Sequence, residues 1–324
     1  MPSDSYPFAV GRIKGLERGF LTQQDFNRIE EQPLHTAVKQ LADSGYGSDA
    51  QDKFDPDSLV AAEMKHLHLL IDEITPDKMA TDLFWLDQDA INIKLMLKAR
   101  LLKEEVSDGD FAYGLFETAT LKNAVENRNY SSLPSLLHTG MDAIEQLIRD
   151  KQADAIDPFT ISTEVDRVIY GYILSTSKNA FVRKYFKAKL DFTNVVSFLR
   201  ARALLWEKEK INLVFIEGGD IGLKCLLDAY DLSPDKIERA ITCGKDIDGA
   251  VRRGLSQYKE DKVSIVDVTE VLDAELAKIA SSERLDSFGI GPIVNYLYRR
   301  VDEGKKLRIL FAKKRIGEMG KKAN

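Results

Sequence analysis

Two residue pairs have the types and spacing of working chemistry: Asp89 with Asn92, and Asp191 with Asn194. An acid and an amide three positions apart share one face of a helix. There they could imitate a general acid–base pair or part of a hard-cation site. Catalysis usually needs one asymmetric constellation, however, and these pairs recur at equivalent places, so the recurrence points to structure. Other chemistry is weaker. His66 and His68 stand two apart, about 200° from each other on a helix, and so cannot chelate one ion together. His35 and His138 read as ordinary packed or solvated imidazoles. Gly289-Ile290-Gly291 begins a dinucleotide fingerprint, but Val294 occupies the third glycine position and no convincing strand precedes it. No GxxxxGK[ST], GxSxG or HExxH occurs. Cys225 and Cys243 lack a CxxC context and read as small core residues in a reducing compartment. The expectation is no catalytic, cofactor-binding or metal site.

The acids belong to a longer recurring segment. Residues 89–102 (DAINIKLMLKARLL), 191–204 (DFTNVVSFLRARAL) and 303–316 (EGKKLRILFAKKRI) align without a gap. Each has an acid (Asp89, Asp191, Glu303), then an amide or its replacement (Asn92, Asn194, Lys306), then Ile93, Val195 or Leu307. Apolar pairs follow (Met96 with Leu97, Phe198 with Leu199, Leu310 with Phe311), and a base closes each copy (Arg100, Arg202, Lys314). Apolar residues at i, i+3 and i+4 form one helical stripe facing a core. The acid is expected to open its helix and the base to fall late in it, the polarity a helix dipole favours. Thr22, Ser131 and Ser233 are expected N-caps of a second repeated helix. From cap to cap the steps are 131 − 22 = 109 and 233 − 131 = 102, against 191 − 89 = 102 and 303 − 191 = 112 between the acids. Both fit three tandem repeats, 1–108, 109–216 and 217–324, each too long for a solenoid module.

Helical period dominates: 58–74, 90–104, 115–126, 164–187, 193–209, 221–230, 236–242, 268–281 and 292–315 carry apolar residues three and four apart. The best strand candidate, INLVFI at 211–216, reads equally as a helix tail entering the Gly218-Gly219 turn, and the repeat favours the latter. At 324 residues and 44% hydrophobic content the chain can bury a large core. A net charge of −6 argues against general nucleic-acid binding. Charge is uneven: 49–89 holds eleven acids against three lysines, whereas 305–324 holds eight bases against Glu318 alone. The opening residues lack the apolar stretch of a secretory signal, and no uncharged run approaches a membrane span, so the expected place is cytosolic or peripheral.

On these residues the chain resembles the C subunit of archaeal and bacterial V/A-type rotary ATPases, the counterpart of the d subunit in the eukaryotic V-ATPase. The resemblance runs from Tyr6 to about Met319. It covers Tyr6, Ala9, Arg12 and Ile13 with Phe20-Leu21-Thr22, the acid-x-x-Asn helices, Gly218-Gly219, and FGIGPIVNYLYRRVDEGKKLRI at 288–309, its most specific stretch. Lys306 departs from the family's usual asparagine. The resemblance implies an all-α funnel of three similar helical subdomains about a pseudo-threefold axis, with no catalytic site and no cofactor. It also implies a peripheral place on the cytoplasmic face of the membrane, between the central stalk and the membrane rotor ring, with no nucleic acid and no small-molecule substrate. If one face per repeat lines the funnel, Lys98, Arg100, Arg200, Arg202 and Lys314 are the candidate partner-binding residues. Two other classes fit the helical pattern: an adaptor unrelated to rotary motors, and a helical enzyme with carboxylates clustered from facing helices.

Overall fold

The structure, a computed structural model, describes residues 5–150, 157–245, 247–258 and 265–322. Residues 1–4 and 323–324, the outer ends of the first and third sequence repeats, lie outside them. The described chain is all-helical, and no strand occurs among the described residues. Its helices are α1 Tyr6–Leu16, α2 Gln23–Glu31, α3 Leu34–Asp43, α4 Pro56–Ile74, α5 Lys78–Leu102, α6 Thr118–Asn127, α7 Ser135–Asp150, α8 Pro158–Thr176, α9 Ala180–Ala203, α10 Ile211–Val214, α11 Leu223–Ala229, α12 Pro234–Ala240, α13 Asp248–Leu255, α14 Ile265–Ala280 and α15 Gly291–Lys322.

Contacts gather these helices into two compact units. The first comprises the described residues within 1–81, 107–113 and 280–324, and the second those within 82–106 and 114–279. In the first unit α15 packs on α4, α1 and α3. Ile13, Leu41, Leu59, Ile71, Leu307 and Phe311 form its buried centre. In the second unit α8 packs on α7, α9 and α10. Its core holds Leu86, Ile161, Val165, Phe198 and a cluster in which the Phe84 ring lies tilted at 5.0 Å from Tyr185 and 4.9 Å from Phe186.

Local chemistry sets the helix starts. Asp55 and Asp157 are matching N-caps, each followed by proline at the first helical position. Asp55 accepts from Ser58 N at 2.8 Å and Asp157 from Thr160 N at 3.3 Å. The expected helix at 164–187 is in fact broken, because Asn179 Oδ1 accepts from the amides of Phe181 and Val182 at 3.0 and 3.1 Å and starts α9 anew. From there α9 runs unbroken through the gap expected before 193. The stretch 211–216 is neither a strand nor the tail of α9, which ends at Ala203, but a separate one-turn helix, α10, turning extended at Phe215.

Candidate functional site

The three recurring acids do not open helices. They lie eleven, eleven and twelve residues inside α5, α9 and α15, and all three are buried. Each reaches sideways to the loop that starts a different, shorter helix. Asp89 Oδ2 accepts from the amides of Leu115 and Phe116 at 2.9 and 3.2 Å, just before α6. Asp191 accepts from Asp220 N and Ile221 N, both at 2.9 Å, just before α11. Glu303 Oε2 accepts from Leu21 N at 2.8 Å, just before α2. Each acid does complement a helix dipole, but the dipole served is the neighbour's.

The bases close the other end of the same short helices. Arg100 donates to Val125 O in the last turn of α6. Arg202 donates to Leu232 O beyond α11 at 2.8 Å. Lys314 donates to Glu30 O at 2.7 Å and to Gln32 O, where α2 ends. Acid and base are eleven residues apart in every copy. At 1.5 Å per residue that is about 16 Å, enough to span a short helix of seven to ten residues and its loop. Each long helix thus brackets a short one, with an acceptor for amides of the loop that leads into it and a donor for carbonyls at or just beyond its end.

Glycine makes the bracket possible. A Cβ at Gly114 would lie 1.8 Å from Asp89 Oδ1, and one at Gly219 would lie 2.0 Å from Asp191 Oδ1. The carboxylate occupies the space a side chain would take. Gly19 holds the same register, two residues before Leu21, but a Cβ there would meet Arg300 Nη2 at 3.1 Å and not the acid. Gly-x followed by Leu, Phe or Ile is therefore a third repeated signal, at Gly19, Gly114 and Gly219, which an alignment of the acids and bases alone passes over.

This geometry corrects the expected caps. Thr22 does cap α2, in a capping box with Asp25. Ser131 does not cap α7, which begins four residues later at Ser135. Ser233 stands at the start of α12 but donates to Asp235 instead of accepting a backbone amide. The residues matching Thr22 are Glu117 and Gly222, the N-caps of α6 and α11, neither with a side-chain cap. Asp89 and Asp191 instead hold the amides just ahead of those caps, at Leu115 and Phe116 and at Asp220 and Ile221.

Burial shapes the acids' titration. It raises the Asp89 carboxyl to about 8 against the opposing pull of its two backbone amides. It raises Asp191 to about 6. Glu303 is also raised, chiefly by burial, with Arg300 and the Leu21 amide pulling it down. Asn194 holds Ile216 from both sides, donating to its carbonyl at 2.8 Å and accepting from its amide at 2.9 Å. Asn92 is likewise buried. Lys306 is exposed and paired with Asp302 at 2.7 Å.

The histidines go separate ways. His66 meets Asp49 at 2.7 Å, and His68 meets Tyr113 Oη at 3.2 Å.

The five sequence-derived basic candidates divide into two groups. Arg100, Arg202 and Lys314 are the bracket donors, and Arg100 also forks onto buried Glu145 at 2.8 and 2.9 Å. Lys98 and Arg200 instead line a cavity of about 900 Å³ inside the second unit, among α5, α8, α9 and α14. Across it Lys94 pairs with Asp166 at 2.7 Å, and Lys189 pairs with Asp87. Burial and the Lys94 and Arg200 charges push Lys98 below the ordinary lysine value, with Asp166 opposing.

The sequence profile of the ATP synthase (C/AC39) subunit matches residues 9–317. The chain belongs to this family, the C subunits of the V/A-type ATPases. It is similar to the A-type ATP synthase C subunit of Desulfurococcus sp. (strain SY), 25% identical over 322 residues, which are 94% of this chain and 85% of the relative. It is likewise similar to the corresponding A-type ATP synthase protein of Thermococcus kodakarensis, 24% identical with the same coverage. With that of Methanosarcina barkeri it shares 22% over 97% of this chain and 90% of the relative. The AC39 match runs through all three brackets. Among the described residues no helix is long and apolar enough to cross a membrane.

Proposed function

We propose that the chain is the non-catalytic central-stalk subunit of a V/A-type ATPase or ATP synthase, coupling the rotor shaft to the membrane ion-translocating ring. In this reading it sits peripherally on the cytoplasmic face of the membrane. Its three helical repeats, 1–108, 109–216 and 217–324, form the family's pseudo-threefold funnel. One observation carries the reading beyond family membership: the carboxylates that looked like chemistry are all engaged in holding one helix against another. Torque transmission needs stiffness, and a helix fixed at both ends within a close-packed core has little freedom to slide. The partner-binding role expected of the repeated bases then falls on Lys98 and Arg200, since Arg100, Arg202 and Lys314 are committed to the brackets.

The test is affinity purification of the tagged chain from native membranes, with identification of the associated proteins. Co-purification with catalytic, stalk and ring subunits is the expected result. Recovery with soluble partners only, and ATPase particles lacking the chain, would reject the reading and favour an unrelated adaptor.

A further inference from the structure

We propose that residues 20–32, which are α2 with its two flanking connectors, form a strap that opens from α15 and closes on it while the rest of the first unit stays folded. The inference goes beyond the proposed place in the ATPase and concerns a conformational device built into the fold.

The strap is held by its ends. Of the nine residues of α2 only Ile29 is buried, whereas α6 buries Leu121, Ala124 and Val125 and the shorter α11 buries Leu226 and Ala229. A helix with one buried side chain gains little from the core, so its seat depends on the bracket. That bracket grips at or beyond the helix ends. Glu303 takes Leu21 N, the Arg299 and Arg300 guanidinium groups cover the Phe20 ring at 3.8 and 4.5 Å, and Lys314 takes Glu30 O and Gln32 O.

Opening strands no charge. Glu303 also accepts from Arg300 Nη1 at 2.7 Å, an ion pair within α15 that survives when Leu21 N departs. Asp89 and Asp191 differ: among the described residues each is hydrogen-bonded only to the two loop amides it holds, so freeing α6 or α11 would leave a buried carboxylate without a partner. The bracket is thus a fixed joint on α5 and α9 and a releasable clasp on α15.

The strap also keeps its own order. A capping box joins Thr22 and Asp25, and Gln23 Nε2 donates to Asn27 Oδ1 at 2.9 Å, bonds that need nothing from α15. Neither α6 nor α11 has a side-chain cap. On either side the chain is extended, at Phe20 and Thr22 before α2 and at Gln32 and Pro33 after it, which supplies two hinges. Closure is opposed at the second hinge, where Gln32 Oε1 is buried without a hydrogen-bond partner among the described residues. Opening returns that oxygen to water.

The test is hydrogen exchange of the full chain, read by mass spectrometry on segments covering α2, α6 and α11, at pH 7 and in urea below the unfolding transition. Protection of α2 should be at least about tenfold lower than that of α6 and α11, through an opening that urea barely changes because little surface is exposed. Lys314→Ala should raise the α2 rate about tenfold and Gln32→Met should lower it about tenfold, both leaving α6 as in wild type. Gln32→Met decides the matter alone should Lys314→Ala not fold. Exchange of α2 only at the rate and urea dependence of α6 overturns the inference. An α2 rate indifferent to the substitutions overturns it as well, since the helix would then fray without regard to its clasp. Either result leaves the proposed function standing, because neither bears on association with the ATPase.

Discussion

Replacing Gly219 by alanine should unlock one bracket. The new Cβ would stand 2.0 Å from Asp191 Oδ1, whereas real Cβ contacts keep at least 3.0 Å, so the carboxylate must retreat by 1.0 Å or more. Its bonds to Asp220 N and Ile221 N, now 2.9 Å each, would stretch beyond hydrogen-bonding distance. Two bonds to a charged acceptor are worth roughly 1.5–3 kcal/mol each. Against that, alanine reduces the freedom of the unfolded chain by about 0.4–1 kcal/mol. With some local relaxation the net destabilisation should be about 2–5 kcal/mol. The assay is urea unfolding followed by circular dichroism at pH 7, run as a cycle with Asp191→Ala. Once the carboxylate is gone the clash is gone, so the double variant should cost little more than Asp191→Ala alone, a coupling of about 2–4 kcal/mol. Gly11→Ala is the control: in α1, with nothing within 4 Å of its added Cβ, it should be neutral or stabilising by up to about 1 kcal/mol. Strict additivity, or a loss below about 0.5 kcal/mol for Gly219→Ala, would refute the bracket as the reason for the glycine.

Three further outcomes follow from the same contacts. Asp89 titrates at about 8 in the fold and at about 3.9 when unfolded. The folded state therefore binds more protons between those values, and this group's contribution to stability is full below about pH 4 and lost as pH rises to about 8. Asp89→Asn should remove that slope, seen as a smaller fall in melting temperature between pH 5 and pH 8 than in wild type; an unchanged fall would contradict burial as the cause of the shift. Arg100→Met leaves Glu145 buried without its bidentate partner, keeping Tyr130 Oη at 2.7 Å and Arg128 Nε at 4.0 Å, and should cost about 3 kcal/mol in chemical denaturation. Arg202→Met removes a donor to one carbonyl and should cost about 1–2 kcal/mol, so a reversed order would show that Glu145 does not set the cost.

The sequence carried the helical class, the three long helices and the conclusion that the repeated acids are structural, because each depends on local period or on recurrence. It misplaced the acids within their helices. Apolar spacing marks where a stripe passes, not where its helix starts, and α5 begins at Lys78 because tertiary packing extends it well before Asp89. The caps failed for a related reason. A cap supplied from the same turn, as at Thr22, is visible in four residues, but the hold of Asp191 on the loop before α11, across 29 residues, is visible only once the pairing is known. The glycines were legible in principle, through their recurrence before a large apolar residue. The cavity was not, since Asp87 and Lys189 occupy equivalent positions in two copies and make sense only as a pair across the second unit.

The third copy shows which parts of the bracket are essential. It keeps the acid and the base but replaces the amide with Lys306, and the reason lies in what each group holds. Glu303 and Lys314 hold the two ends of α2, more than 280 residues away in sequence. Asn194, by contrast, holds Ile216, part of the chain that turns back after α9 ends at Ala203. In the third copy α15 runs to Lys322, through the positions where α5 and α9 stop. Among the described residues no returning stretch meets Lys306, which is exposed and paired with Asp302. Restoring the amide should then gain nothing: Lys306→Asn should change stability by no more than about 0.5 kcal/mol, as for an ordinary surface site. Asn194→Ala, which strands a buried amide and a buried carbonyl at Ile216, should cost about 2–4 kcal/mol. Equal effects at the two positions would mean that the amide belongs to the bracket itself.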